Sequence, residues 1–399
     1  MHNFDSLARQ LAPHYSRFNV SERLLFTGHS HQAWPDVAVE GQVEAFEAAA
    51  QSVDEKWGAA FAKADVLRGY LREWYDDPDG LYCLAENTHI LLISWLSAIL
   101  CDKEHLKSKP KIITTDGEFH SMYRQLKRLQ EEGVEVEMLP VEPLDSFAQR
   151  LADVADSNTA AIMLSRVYFE SALINPQLQQ VAAIGRERNI PVLIDDYHGT
   201  NNSPLSIREE GLEDCYLVTG GYKYLQWGEG NCFLRFPKSC ELRPVITGWY
   251  ASFSTLDKPR NNDATVFDAG EQRFSTATYD PTSQFRAAKV VAFFRQQQLD
   301  KTTIRQQYLA QLGHLRQLFV DANFNADQVR LAHEQPLTNN GGFLALRSPH
   351  AEQLRQSLLD SGVLTDSRGD ILRFGVAPYI NAAQIEQAIH KLAKSVAQL

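Results

Sequence analysis

Cysteine is scarce and unpatterned in this chain of 399 residues. Cys83, Cys101, Cys215, Cys232 and Cys240 include no CxxC pair, are odd in number, and none follows Cys240. Such usage argues against a disulfide framework or a zinc site and suits reduced thiols, so a cytoplasmic location is expected. A long apolar run is missing too. The longest, Ile90 to Cys101, carries Ser94, Ser97 and a tryptophan and falls well short of the roughly 20 residues that span a bilayer, so a buried helix and no membrane partner are expected. Met1 to Asn19 has polar residues throughout and lacks the basic start and apolar run of a secretory signal. Basic excess is absent: 39 Lys and Arg against 50 Asp and Glu give a net charge of −11, with no run of cations, which excludes a surface for wrapping nucleic acid. The chain also has no GxGxxG turn of the kind a nicotinamide dinucleotide needs, since Gly220-Gly221 continues into Tyr-Lys.

What remains is an ordinary globular composition, 44% hydrophobic and 22% charged, long enough for one large domain with its own core and a smaller one. Short β-branched apolar runs at Lys111 to Thr115, Val134 to Leu139, Ala160 to Ser165, Pro191 to Asp195, Tyr216 to Thr219 and Cys232 to Phe236 alternate with helical patterns. That alternation predicts an α/β fold with a mostly parallel sheet and helices on both faces. Between Leu242 and Asp280 the pattern gives way to Gly, Pro, Asn, Asp and aromatics, a connection long enough to suggest function. After Pro281 a long helical region runs toward Asn323. It is followed by a strand at Gly342 to Arg347, a helix at Ala351 to Ser361, a strand at Ile371 to Val376 and a last helix from Asn381. The expected organisation is an N-terminal arm over 1–45, a large α/β domain over 46–280 and a small α+β domain over 281–399.

Chemistry concentrates at two predicted strand ends. Pro191-Val192-Leu193-Ile194 delivers Asp195 to the carboxyl edge of the sheet, where open α/β sheets bind ligands. After a further strand comes Gly220-Gly221-Tyr222-Lys223-Tyr224. A carboxylate and an amine facing one crevice suit pyridoxal 5′-phosphate (PLP): lysine binds the cofactor aldehyde and the acid keeps the pyridine nitrogen protonated. Taken singly, each has a plainer reading, a solvated surface lysine and a turn-capping aspartate. Upstream, Asn87 or Thr88 is a good N-cap for the apolar helix, and a helix N-terminus presents N–H groups and a positive dipole end to a phosphate.

Asp195-Asp196-Tyr197-His198 and Tyr222-Lys223-Tyr224 together resemble the Asp-x-x-His and Tyr-Lys-Tyr segments of the kynureninase-like branch of class-V, fold-type-I PLP enzymes. The resemblance extends over most of the chain. It implies a fold-type-I large domain with a seven-stranded-type sheet, PLP as cofactor, Lys223 and Asp195 as catalytic residues, and His198 and Tyr222 reaching the cofactor phosphate. It places the phosphate loop at Asn87, Thr88 and His89. Glu118-Phe119-His120-Ser121 resembles the family's Phe-Pro-Ser, which makes Phe119 the ring stacked on the pyridine face and Ser121 a cofactor contact; His120 stands in place of Pro. Gly248-Trp249-Tyr250 resembles Gly-Trp-Trp, and Gly270 to Thr276 resembles a segment that completes a neighbouring site. Trp249, Ser275 and Thr276 are thereby expected at cofactor sites shared in a homodimer.

Asp370-Ile371-Leu372-Arg373-Phe374-Gly375 is similar to the family's Arg-Phe-Gly segment, so Arg373 is expected to clamp the α-carboxylate of an amino-acid substrate, a match for its planar fork. The plainer alternative is an arginine paired with Asp370. Gly28-His29-Ser30 matches the start of the family's Gly-His-Ser-Leu-Gly and puts His29 and Ser30 in the substrate site, while His31-Gln32 replace Leu-Gly. His29 and His31 have no further ligand cluster beside them in sequence, and no metal is expected. The resemblance implies hydrolytic Cβ–Cγ cleavage of a kynurenine-type amino acid. Transamination, or a lyase reaction that does not use cysteine, fits the same motifs, and a sulfur-accepting loop cysteine in the small domain is absent. The non-enzyme alternative is a catalytically silent scaffold.

Overall fold

The computed structural model describes residues 4–101, 109–257, 259, 264–268 and 270–399; the first three residues of the expected arm and parts of the Leu242 to Asp280 connection lie outside the described residues. At its centre is a seven-stranded sheet. From one edge its strands are Leu81–Ala85, Cys232–Phe236, Tyr216–Gly220, Val192–Asp195, Thr159–Ser165, Lys111–Thr115 and Glu135–Leu139. Cys232–Phe236 runs antiparallel to both of its neighbours, and the remaining pairs are parallel. The expected mostly parallel sheet is therefore present. Leu81–Ala85 escapes the sequence pattern because Leu-Tyr-Cys-Leu-Ala has no β-branched residue to mark it as a strand.

The runs are apolar throughout because both faces are covered, and alternate residues serve opposite cores. Ile113, Ile162, Leu164, Ile194, Leu217 and Phe233 pack into one core, and their neighbours Ile112, Ala161, Met163, Leu193, Val218 and Leu234 into the other. The helix Thr88–Leu100 belongs to the second core; Asn87 caps it by accepting the Ile90 N–H at 2.9 Å. The strands carrying Ser165, Asp195 and Gly220 end side by side at one edge of the sheet.

Beyond Pro281 the helical region is two helices, Thr282–Gln296 and Lys301–Asp321. They are split where Gln298 adopts a left-handed φ of 55° and Asp300 caps the second helix through the Thr303 N–H at 2.7 Å. A four-stranded antiparallel sheet follows, ordered Asp366–Arg368, Ile371–Gly375, Phe343–Arg347, Arg330–Leu331. The helices Ala351–Asp360 and Ala382–Val396 share its core, the latter opened by a capping box of Asn381 and Gln384. The N-terminal stretch binds to this small sheet. Leu24–Leu25 pairs in parallel with Val363–Leu364, and Gly375 donates to the Phe26 carbonyl at 2.8 Å. Gly375 permits that approach, since a Cβ there would lie 2.2 Å from His29 Nδ1.

Candidate active site

Asp195 ends its strand between Ser165 and Val218, and its carboxylate accepts the Tyr197 N–H at 2.9 Å. The turn that follows is clamped from below. Asp196 is fully buried and takes hydrogen bonds from Arg166 Nε at 2.5 Å and the Tyr75 hydroxyl at 2.8 Å. This clamp fixes the chain that carries Tyr197 and His198. On the next strand end Gly221 donates to the Asn231 carbonyl and Trp227 donates back to Gly221, so the loop doubles over and sends Lys223 above the sheet edge. Gly220 is required beside it: a Cβ would meet the Tyr197 hydroxyl at 2.2 Å.

The Lys223 amine is buried, 5% exposed, and lies 2.5 Å from His198 Nε2. Rings of Tyr197, Phe119 and Tyr222 surround it at 4.8, 5.2 and 5.8 Å. Burial drives the amine well below the usual lysine range, with Asp195 opposing and Arg373 assisting. Burial likewise raises Asp195, with the Tyr197 N–H and Lys223 pulling the other way. His198 is pushed far down by burial and then by Lys223, so its ring is neutral. Nε2 is thus engaged by the amine, while Nδ1 finds no hydrogen-bond partner among the described residues.

These groups open onto a cavity of about 340 Å³. Asn87, Thr88, His89, Phe119, Ser121, Asp195, His198, Tyr222 and Lys223 all line it, so nine residues selected from sequence meet in one place. The structure sets His198 against the Lys223 amine. Asn87, Thr88 and His89 bring the N-terminus of the apolar helix to the wall. Phe119 packs edge-on against Phe169 at 5.4 Å and 88°.

The remaining selections lie outside the wall. Arg373 is 3% exposed and donates through Nε to Asp366 Oδ1 at 2.8 Å, through Nη2 to Asp366 Oδ2, and through Nη1 to the Phe169 carbonyl at 2.5 Å. The plainer alternative named Asp370 as its partner, but Asp370 sits at the strand turn and pairs with Arg347. Asp366 stands directly across the sheet from Arg373. His29 is buried on Asp366, and Ser30 lies 3.1 Å from His31, whose ring stacks on Tyr222 at 4.7 Å. His29 and His31 thus turn to different partners. Trp249 is 39% exposed and bonded to Thr278; Ser275 contacts Gln272 and Cys83; the Thr276 carbonyl packs against Gly248. None of these three reaches the cavity of its own chain.

Sequence reading missed several neighbours of the site. Tyr197, Ser165 and Phe169 line the cavity from strand ends or the loops just after them, a position that was the available signal. Glu118, beside Phe119, is 3% exposed and bridges two strand ends, accepting from Thr115, from the Ser165 N–H at 3.0 Å and from the Ser165 hydroxyl at 2.6 Å. Burial pushes its carboxyl up to about 7 against those hydrogen bonds.

A doubly covered, mostly parallel sheet with a buried lysine and a carboxylate on adjacent strand ends defines the architecture of fold-type-I enzymes. Solved structures agree over nearly the whole chain. The cystine C–S lyase C-DES, in complex with cysteine persulfide, superposes with a TM-score of 0.79 at 17% identity, covering 94% of this chain and 98% of that one. The cysteine desulfurase CsdA of Escherichia coli gives 0.78 at 14% identity over 98% and 99%. Residues 304–392 match the family model of the kynureninase C-terminal domain. A kynureninase of Deinococcus radiodurans is 23% identical over 264 residues, 64% of this chain and 61% of that protein. A mitochondrial cysteine desulfurase of Candida albicans is 27% identical over 147 residues, 36% of this chain and 29% of that protein. The chain thus spans under a third of that desulfurase and about three fifths of that kynureninase. The family model over residues 304–392 and the Deinococcus radiodurans relative are both of kynureninase type, and the solved structures share the fold.

Proposed function

We propose that the chain is a PLP-dependent enzyme acting on an amino-acid substrate, with kynureninase-type hydrolytic Cβ–Cγ cleavage as its reaction. The observation that carries the cofactor reading is the meeting of the Lys223 amine, the Asp195 carboxylate and the Phe119 ring in one cavity, beside a buried His198 Nδ1 that has no partner among the described residues. This donor set fits the cofactor: an amine for its aldehyde, an anion for its pyridine nitrogen, a flat ring for its face, and a helix N-terminus at Thr88 and His89 for its phosphate. When bound, PLP supplies an electron sink for the bond broken at the substrate Cα.

The chain's own residues do the rest. Lys223, depressed toward neutrality by burial, takes and returns the Cα proton. Asp195 holds a proton on the ring nitrogen by its charge. His198 is neutral and adjoins the amine, so it orients Lys223 without competing for the positive charge. Phe119 and Tyr197 exclude water from the amine, and Arg373 takes the substrate carboxylate. Residues 46–280 are then the cofactor-binding unit and 281–399 the unit that supplies Arg373. In a homodimer, the exposed Trp249 and the segment carrying Ser275 and Thr276 would face the partner's site.

A second reading, a lyase that does not use a cysteine acceptor, is favoured by one observation. Among the described residues the cysteine lining the cavity is Cys232, buried, with its thiol pushed up to about 12 by burial, and no cysteine follows Cys240. Two measurements decide. Purified protein supplied with PLP should carry a yellow absorbance band that borohydride bleaches, and its absence refutes the cofactor. Release of alanine from kynurenine or 3-hydroxykynurenine then supports hydrolysis. Turnover that instead requires a keto acid indicates transamination, and release of a sulfur product from cystine indicates the lyase.

A further inference from the structure

We infer that Asp366, braced by His29, is a positioning residue that fixes the Arg373 guanidinium for the substrate carboxylate; the inference rests on the PLP and amino-acid reading above. Asp366 and Arg373 are direct cross-strand partners on Asp366–Arg368 and Ile371–Gly375. The carboxylate takes the side edge of the guanidinium, Nε and Nη2, and the Phe169 carbonyl takes one Nη1 hydrogen. Of the five N–H donors of an arginine, two are left without a partner among the described residues. A buried cation with donors to spare and three held is a preformed fork for an anion. It stands at the site: its charge is among the influences that depress both Lys223 and His198, and Phe169, which it grips, lines the cavity.

His29 completes the brace. Its Nε2 lies 2.7 Å from Asp366 Oδ1, and since an ionised carboxylate only accepts, Nε2 is the donor. The ring is wholly buried, packs 4.7 Å from the Phe343 ring, and is driven down to about 4 by burial and by Arg373, so it is a neutral hydrogen-bond donor. Asp366 remains ionised: burial raises it, but His29 and Arg373 together hold it well below the usual carboxylate range. Without Asp366, the guanidinium would be free to turn between Phe169 and Phe343, which flank it at 5.9 and 5.7 Å.

The test compares two amines that differ in the carboxylate, L-alanine and ethylamine, titrated into PLP-loaded protein and followed by the cofactor absorbance band and by calorimetry. Asp366→Asn should raise the Kd of L-alanine about 10–100-fold, as expected for loss of a charge-assisted hydrogen-bonded brace, and leave that of ethylamine unchanged. His29→Phe, which keeps the ring and loses the donor, should shift L-alanine in the same sense by less, and serves if the Asp366 variant fails to fold. Unchanged or tighter L-alanine binding in a folded variant, or an equal shift for both amines, overturns the brace while leaving the cofactor reading intact. A wild-type protein with no absorbance band overturns the cofactor reading and this inference with it.

Discussion

The amine end of the site and the carboxylate end are built differently. Asp195, His198 and Lys223 fall within residues 195–223 on two neighbouring strand ends, and their perturbations are caused chiefly by burial. Arg373, Asp366 and His29 come from two strands of the small sheet and an N-terminal segment 337 residues away from Asp366, and they neutralise one another through hydrogen bonds. The first end holds an amine and a carboxylate that burial shifts toward neutrality, suited to chemistry, and the second holds a paired charge, Arg373 on Asp366, with two guanidinium donors left for recognition among the described residues. Substitutions at the first end should therefore abolish turnover, and those at the second should change affinity.

The sharpest break is Lys223→Ala. It should remove the borohydride-sensitive band and lower turnover by about 10²–10⁴-fold through loss of the proton carrier, measured by absorbance and single-turnover kinetics; a variant that keeps the band refutes the lysine assignment. Next in size is the effect of Asp366→Asn, where KM for the amino acid should rise far more than kcat falls. Parallel losses in both would erase the distinction between the two ends.

Glu118→Gln probes the floor of the amine end through stability. Glu118 has a folded-state pKa of about 7, above that of an exposed glutamate, so the native state binds more protons than the unfolded state between those values. Its contribution is therefore present at acid pH and is lost as pH rises through about 7. Relative to wild type, the glutamine variant should be unchanged near pH 4 and more stable by about 3 kcal/mol near pH 8, read by urea denaturation. A difference independent of pH would mean that the carboxyl is not held protonated. The smallest effect belongs to Asn87→Ala, which removes the cap at the cavity wall and should cost about 1 kcal/mol. If the helix N-terminus binds the cofactor phosphate, the loss should be larger in PLP-loaded than in unloaded protein.

Legibility in the sequence followed the same division. Asp195 and Lys223 were readable because β-branched runs mark the strands and the chain places each residue just beyond one. Asn87 was readable because a short polar side chain precedes an apolar helix. The Leu81–Ala85 strand was not, lacking β-branched residues, and Glu118 looked like any loop glutamate until the ends of Lys111–Thr115 and Thr159–Ser165 closed around it. The plainer alternative for Arg373, as against a substrate carboxylate, paired it with Asp370, its near neighbour in sequence. The turn between Asp366–Arg368 and Ile371–Gly375 instead gives Asp370 to Arg347 and brings Asp366 opposite Arg373.

By itself, then, the sequence determined the alternating α/β pattern, the strand ends that bear the lysine and the aspartate, and the resemblance that ties them to a cofactor. These are properties of local runs and short spacings. Tertiary structure alone decided that His198 touches the Lys223 amine, that Glu118 is sealed from water, and that His29 braces Asp366 against Arg373. Those contacts depend on strand register and on which segments are buried together, and burial sets the charge of a side chain only after the whole chain has closed around it.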